Sequence, residues 1–287
     1  MKIHIPQPIS RESEMNLLIM PGLSRNEKVE FVHDGDSADF VFYHHSGEGD
    51  DFVNMEPRWE GKCIMIDYQD DPFKIMNGKW SHYFKRSVVD KSGPKPKGIE
   101  YGRDFPVTHL PYCVKEYDGM TGFHYPEMPK EYDVCCLFGL DCWYRNRNRV
   151  VNYIDGLRNE GMKVFTGLVD WHFLKRSMSD AYFETMRKSR IVVTCNPDEW
   201  EGDYRLFEAL TTGSLVFCDE MHNKMGLEGH VVWYDLSDLE SLKGNISHFL
   251  NSPYNLETAA RNALEQTKKN HTSDSRVKFI IETISKK

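Results

Sequence analysis

The sequence predicts an α/β protein of two domains, each built on a parallel sheet with helices on both faces, and a ligand cleft where the two face one another. Three features carry this. Beyond residue 131, strand-like and helix-like segments alternate to the end of the chain, the pattern of βαβ units. Before it, short β-branched or aromatic runs recur without polar–apolar alternation, as expected of strands covered on both faces. A Pro-rich passage, YPEMPKEYD over 125–133, separates the two rhythms and reads as the linker. The expected domains are 1–128 and 129–287.

In chain order, the strands expected in the first domain are KIHI at the start, KVEFV near 30, ADFVFYH near 40, KCIMID near 65, the aromatic run at SHYFKRS and VTHLPY near 110. The stretch KSGPKPKG over 91–98 is too rich in Gly and Pro for regular structure and reads as the end of a surface loop. The second domain offers strands at DVCCLFG, KVFTG, RIVVTCN, SLVFCD and HVVWYD. Between them RNRVVNYIDGLRNEG and DAYFETMRKS repeat apolar residues at three- and four-residue steps, the period of a helix. The closing segment reads as two helices broken at HTSDS, where Thr272, Ser273, Asp274 and Ser275 compete for backbone hydrogen bonds. The last helix is a candidate to pack back on the N-terminal domain.

Composition bounds the function. The chain has 287 residues, 40% of them apolar, enough for buried cores, and its 44 acidic against 36 basic side chains leave a net charge of −8. That balance does not favour a nucleic acid or an acidic membrane surface as partner, so any phosphate must be met locally. The seven cysteines are an odd number without recurrent spacing, and Cys135-Cys136 sits in an apolar run; they read as reduced core residues. No apolar run reaches the length of a membrane span and the first residues lack the apolar core of a signal peptide, so a cytoplasmic protein is expected. The triplets beginning at Asn245 and Asn270 match a glycosylation acceptor that has no meaning outside the secretory route.

The most informative stretch is RIVVTCNPDEWEGDYRLFEALTTGSLVFCDE, residues 190–220. A buried strand ends at Asn196-Pro197, an acidic loop follows, and a short helix runs from near Asp203 to Gly213 before the next strand. In a parallel sheet this loop and helix start lie at the carboxyl edge, where open α/β sheets bind ligands. Arg205 and Glu208, three residues apart, share a helix face. A guanidinium there suits a diphosphate, and a carboxylate one turn later suits both hydroxyls of a ribose. The competing interpretation, a solvated surface ion pair, is weakened by the position at the strand edge.

The order of a small polar loop, Asp203-Tyr204-Arg205-Leu206-Phe207-Glu208-Ala209-Leu210, then Gly213 and an apolar strand resembles the donor-site signature of GT-B glycosyltransferases, especially exostosin-like and group 1 enzymes. The passage from Asn251-Ser252-Pro253 through a helix to His271-Thr272 and Arg276 is similar to the tail of the group 1 proteins. The resemblance covers residues 131–287. It implies a GT-B-like fold of two Rossmann-like domains facing a central cleft, the C-terminal one holding a nucleotide sugar and the N-terminal one meeting the glycan acceptor. It implies a hexosyl- or pentosyltransferase with a UDP-sugar favoured as donor, Arg205 on the diphosphate and Glu208 on the ribose. Retaining members carry an acid eight positions before the ribose glutamate; here that position is Trp200, with Glu201 one step off, which favours inversion.

By placement, Asn196, Asp203 and Tyr204 join the donor site, with Gly139 as a phosphate-approaching turn, Arg145 and Arg147 as charge, and Gly167 to Trp171 against the base. An inverting transfer needs a general base, and the best candidates are Asp70 and Asp71 after KCIMID, where adjacent carboxylates can raise one another's pKa. A simple Asp-Asp-Pro turn competes with that role. His44-His45 is the reserve, and Lys85 and Arg86 either reach a donor phosphate or form a solvated edge. There is no zinc-type spacing, no Walker loop and no DxD between apolar strand residues, so no metal and no cofactor beyond the donor are expected; Asp34-Gly-Asp36 falls in a turn. Two alternatives remain: a catalytically silent nucleotide-sugar or glycan binding module of the same fold, and an epimerase or sugar phosphate hydrolase. The epimerase is disfavoured because KIHIPQPIS lacks a glycine fingerprint. The oligomeric state is not legible.

Overall fold

A computed structural model describes residues 1–11, 13–45, 55–69, 75–86, 88, 107–124, 126–138, 144–167, 180–198 and 200–286. The chain divides into two compact units, Met1–Cys113 with Thr272–Lys287, and Val114–His271. The first division falls ahead of the Pro-rich passage, at the point where the Val114 N–H donates to the His271 carbonyl at 2.8 Å.

Unit 1 is a six-stranded parallel sheet ordered β2-β1-β3-β4-β5-β6. Its strands are β1 (Lys2–His4), β2 (Glu30–Phe31), β3 (Phe40–His45), β4 (Cys63–Asp67), β5 (His82–Lys85) and β6 (Val107–His109). All five residues of β4 are buried, which is why the run shows no alternation: both faces are covered. One face packs Tyr43, Cys63, Met65 and Tyr83 against Trp59, Trp80 and Met76. A π-helical turn, Met15–Ile19, leads into α1 (Met20–Arg25), which meets α7 (Ser273–Ile284). The approach is close. A Cβ on Gly22 would lie 2.6 Å from the Ser273 carbonyl oxygen, and the Gly22 N–H donates to Ser273 Oγ at 2.7 Å, so glycine is the residue that fits. α7 begins where the HTSDS pattern placed a break, with Thr272 accepting from the Ser275 N–H.

Unit 2 is a five-stranded parallel sheet ordered β11-β10-β9-β7-β8. The strands are β7 (Tyr132–Cys136), β8 (Val164–Thr166), β9 (Ser189–Thr194), β10 (Leu215–Asp219) and β11 (Val232–Tyr234), with helices α2 (Arg145–Gly156), α3 (Asp180–Arg187), α4 (Tyr204–Leu210), α5 (Leu239–Leu250) and α6 (Pro253–Asn270). Val150, Val151 and Ile154 of α2, Leu242 and Ile246 of α5, and Leu256 and Ala260 of α6 share one core with the sheet. β8 lies to one side of β7 and β9 to the other. The order therefore reverses between β7 and β9, and a crevice opens at their carboxyl ends. Gly213, at φ 69°, turns the chain from α4 into β10. Six described cysteines are free and buried. Among the described residues no helix is long and apolar enough to cross a membrane.

Candidate donor site

The residues singled out between 190 and 220 gather at the reversal point of the unit 2 sheet. Asn196, just past β9, is 1% exposed and wholly committed: its Nδ2 donates to Asp219 Oδ1 at 2.8 Å and its Oδ1 accepts from the Gly202 N–H at 2.8 Å. It organises the loop rather than presenting a polar group. Glu201 is committed too, accepting from the His222 and Asn223 N–H groups at 2.8 and 3.0 Å. Asp203 occupies the position before α4 without capping it. Its carboxylate instead takes two guanidiniums on one oxygen, Arg147 Nη2 at very short range and Arg205 Nη1 at 3.2 Å. Burial alone would raise the Asp203 pKa, and the two arginines outweigh it and hold the group below its ordinary value.

Arg147 is buried in the first turn of α2, donates through Nε to the Cys195 carbonyl at 2.9 Å and lies over the Phe138 and Tyr144 rings. Arg205 lies over Phe138 and Tyr204 and keeps a quarter of its side chain, 25%, in contact with solvent. Lys115 completes the set, with Nζ 3.4 Å from the Tyr204 ring centroid. Glu208 is buried and its Oε2 accepts from the Tyr182 hydroxyl at 3.1 Å. Burial pushes its carboxyl up, while Lys115 and Arg205 moderate the rise. Burial and the nearby Glu208 push the Tyr182 phenol up as well. Arg147, Arg205 and Lys115 thus act on the Asp203 carboxylate, and Lys115 and Arg205 on that of Glu208.

The competing interpretation of a solvated surface pair does not hold for Glu208, which is buried and bonded to Tyr182. Of the two arginines near the start of α2, Arg147 enters the cluster, while Arg145 has an exposed side chain and gives its backbone N–H to Asp198 at 2.8 Å. Gly167 follows the edge strand β8, the neighbour of β7, with φ 108°. Gly139 and Trp171 lie outside the described residues. Lys115 and Tyr182 carry no motif of their own; only the fold brings them to α4.

In unit 1 the candidate bases Asp70 and Asp71 also lie outside the described residues. Of the two readings of Lys85 and Arg86, a reach to a donor phosphate or a solvated edge, burial of both removes the solvated edge. Lys85 Nζ donates to Asp67 Oδ2 at 2.9 Å with neither side chain exposed, and the Tyr83 hydroxyl donates to the same oxygen at 2.5 Å. Arg86 lies 4.9 Å over the Tyr112 ring. Of the reserve pair, His44 has a lowered pKa, chiefly through burial, and His45 is buried. The Asp36 carboxylate is taken up by Arg58 and the Trp59 indole, each at 2.7 Å. Among the described residues no group of three or more potential ligands could hold a metal.

His109, at the end of β6, gives a test of these electrostatics. Burial, reinforced by the Arg276 charge and opposed by a hydrogen bond to the Arg86 backbone, lowers its pKa to about 4, so the folded unit holds it neutral. A histidine depressed on folding contributes stability that is complete above its unfolded pKa of about 6.5 and is lost as the pH falls toward 4. Urea midpoints measured between those limits are expected to fall with pH in the native chain and to fall less steeply in His109→Asn.

The sequence pattern described as Glycosyl transferase-like matches residues 151–282. Comparison with curated proteins gives no match. Among solved structures, HepE of Anabaena in complex with UDP-glucose is similar over 99% of this chain and 99% of its own, at 12% identity and a TM-score of 0.55. Sucrose-phosphate synthase of Thermosynechococcus elongatus is similar over 99% and 98%, at 10% identity and 0.52. A mutant of S. aureus TarM in complex with fondaparinux, alpha-GlcNAc-glycerol and UDP is similar over 78% of this chain, at 11% identity and 0.51, and the chain spans 56% of its length. At such identities the likeness is one of fold. Residues 151–282 thus match the family described as Glycosyl transferase-like, and the chain shares the GT-B fold of these structures.

Proposed function

We propose that the protein transfers a sugar from a nucleoside diphosphate donor, a UDP-sugar by preference, to a hydroxyl of a glycan acceptor, with inversion and without a metal. The observation that carries this is the set of three cations around Asp203 and Glu208 at the reversal point of the unit 2 sheet. Arg205, still reaching solvent, would meet the diphosphate, with Arg147 and Lys115 adding positive potential behind it. Glu208 would meet the ribose. Inversion is supported by Glu201, whose two oxygens are spent on backbone donors and so do not stand in for the missing acid at Trp200. UDP or UDP-glucose in the structures of HepE and TarM supports the choice of nucleotide.

The test is turnover of UDP-sugars with a panel of glycan acceptors in EDTA, the product anomer being read by proton NMR. The reading expects chelator-insensitive release of UDP and a product of inverted configuration. Asp70→Asn or Asp71→Asn should lower kcat by about a hundredfold or more, the usual contribution of a general base. Unchanged turnover in both variants would remove the base assignment. Nucleotide binding without turnover on any acceptor would favour the silent binding module instead.

A further inference from the structure

The unit 1 sheet has a reversal point of its own. β2 lies to one side of β1 and β3 to the other, so a crevice opens at the carboxyl ends of β1 and β3. At that edge His44 Nε2, the Tyr68 hydroxyl and Gln69 Oε1 have no hydrogen-bond partner among the described residues. His44 stands near the end of β3, and Tyr68 and Gln69 follow the neighbouring strand β4, where the Tyr68 N–H donates to the His45 carbonyl at 2.8 Å. His44 is half-buried, while Tyr68 and Gln69 are only 3% and 8% exposed.

The segment after β1 fixes His44. Its N–H donates to Gln7 Oε1 at 2.8 Å, and its ring hydrogen-bonds the Pro8 carbonyl. A carbonyl only accepts, so the ring nitrogen facing Pro8 is a protonated Nδ1, and Nε2 of the neutral ring is an acceptor. Burial lowers the His44 pKa and so favours that neutral ring. Burial raises the Tyr68 phenol, which keeps its proton, and the Tyr68 ring stacks on Tyr112 at 5.4 Å. The three groups thus offer two acceptors and one hydroxyl that both donates and accepts. A carboxylate or a fully ionised phosphate, bearing no hydrogen of its own, is mismatched to two acceptors. A ligand with several hydroxyls supplies the missing partners, and leaving buried polar groups without them is costly.

We infer that His44, Tyr68 and Gln69 form a sugar-binding subsite of unit 1 that reads the hydroxyls of an uncharged glycan acceptor. The inference rests on the transferase reading above and adds to it the acceptor-specificity residues and the charge class of the acceptor. In sequence the next two residues are Asp70 and Asp71, the candidate bases.

The experiment is titration of the full chain with methyl β-glycosides of glucose, galactose, mannose and N-acetylglucosamine, and with methyl β-glucuronide, followed by saturation-transfer NMR. UDP is titrated into the same proteins by calorimetry. The native chain is expected to bind at least one uncharged glycoside, about tenfold or more tightly than the glucuronide. Tyr68→Phe removes the hydroxyl and keeps the stacked ring; His44→Asn keeps a donor for Pro8 and drops Nε2. Each is expected to weaken glycoside binding about tenfold or more and to leave the Kd for UDP unchanged. Because each variant removes a buried group that lacks a partner, the thermal midpoint is expected to hold or rise, where loss of a merely structural residue would lower it. No binding of any uncharged glycoside, tightest binding of the glucuronide, or glycoside binding unchanged in the variants would each overturn the inference. Should Tyr68→Phe fail to fold, His44→Asn and Gln69→Leu carry the same comparison. A native chain that binds a glycoside in this variant-sensitive way but no UDP would mark failure of the donor-site reading rather than of the subsite.

Discussion

Lys85→Ala is expected to destabilise unit 1 by about 3–5 kcal/mol, the cost of stranding a buried charge when its partner is removed. Lys85 and Asp67 end neighbouring parallel strands in register, and neither side chain touches solvent. The Asp67 carboxylate would keep the Tyr83 hydroxyl and the Gln69 N–H, the latter at 2.8 Å, but would lose its counter-charge. Denaturant unfolding followed by circular dichroism measures the loss. Pairing the change with Asp67→Leu is expected to recover part of it, because removing both charges is cheaper than removing one. A loss below about 1 kcal/mol in the single variant, the range of a surface pair, would contradict the burial assigned to this pair.

Arg205→Ala is expected to weaken UDP binding by about 2–3 kcal/mol, roughly thirty- to a hundred-and-fifty-fold in Kd, as a charge-assisted contact to phosphate is lost. The same change should leave folding nearly intact. Arg205 is partly exposed, and Asp203 retains Arg147, which holds the same carboxylate oxygen from the buried side. The prediction is thus a split between ligand affinity and stability, read by calorimetry beside thermal unfolding. Arg205→Lys should recover only part of the affinity, since an ammonium cannot reproduce the planar fork.

Much of this architecture was legible because it rests on local patterns. Runs such as KCIMID and SLVFCD are strands because every residue in them finds apolar cover, and the step from Asp203 to Gly213 announced a short helix between two strands. Long-range packing hid the rest. Pro21 suits the start of α1, and Gly22 is required by the approach of α7 from the far end of the chain. Arg145 and Arg147 look equivalent in sequence; Asp198 at the start of α2 and the ring of Phe138 decide which is buried. Lys85 stayed open between a phosphate contact and a solvated edge because its partner Asp67 lies on another strand. Lys115 and Tyr182 stand in unremarkable stretches and become part of the site only through their contacts with Tyr204 and Glu208 of α4. The Glu208 carboxyl read from sequence as open to both ribose hydroxyls is already engaged on one side.

The most direct test of the central claim is calorimetric titration of the full chain with UDP in the presence of EDTA, with GDP, ADP and their sugar conjugates as comparisons. The account predicts saturable, chelator-insensitive binding that prefers UDP and is weakened on removing Arg205 or Glu208. A folded chain that binds none of these nucleotides would contradict it.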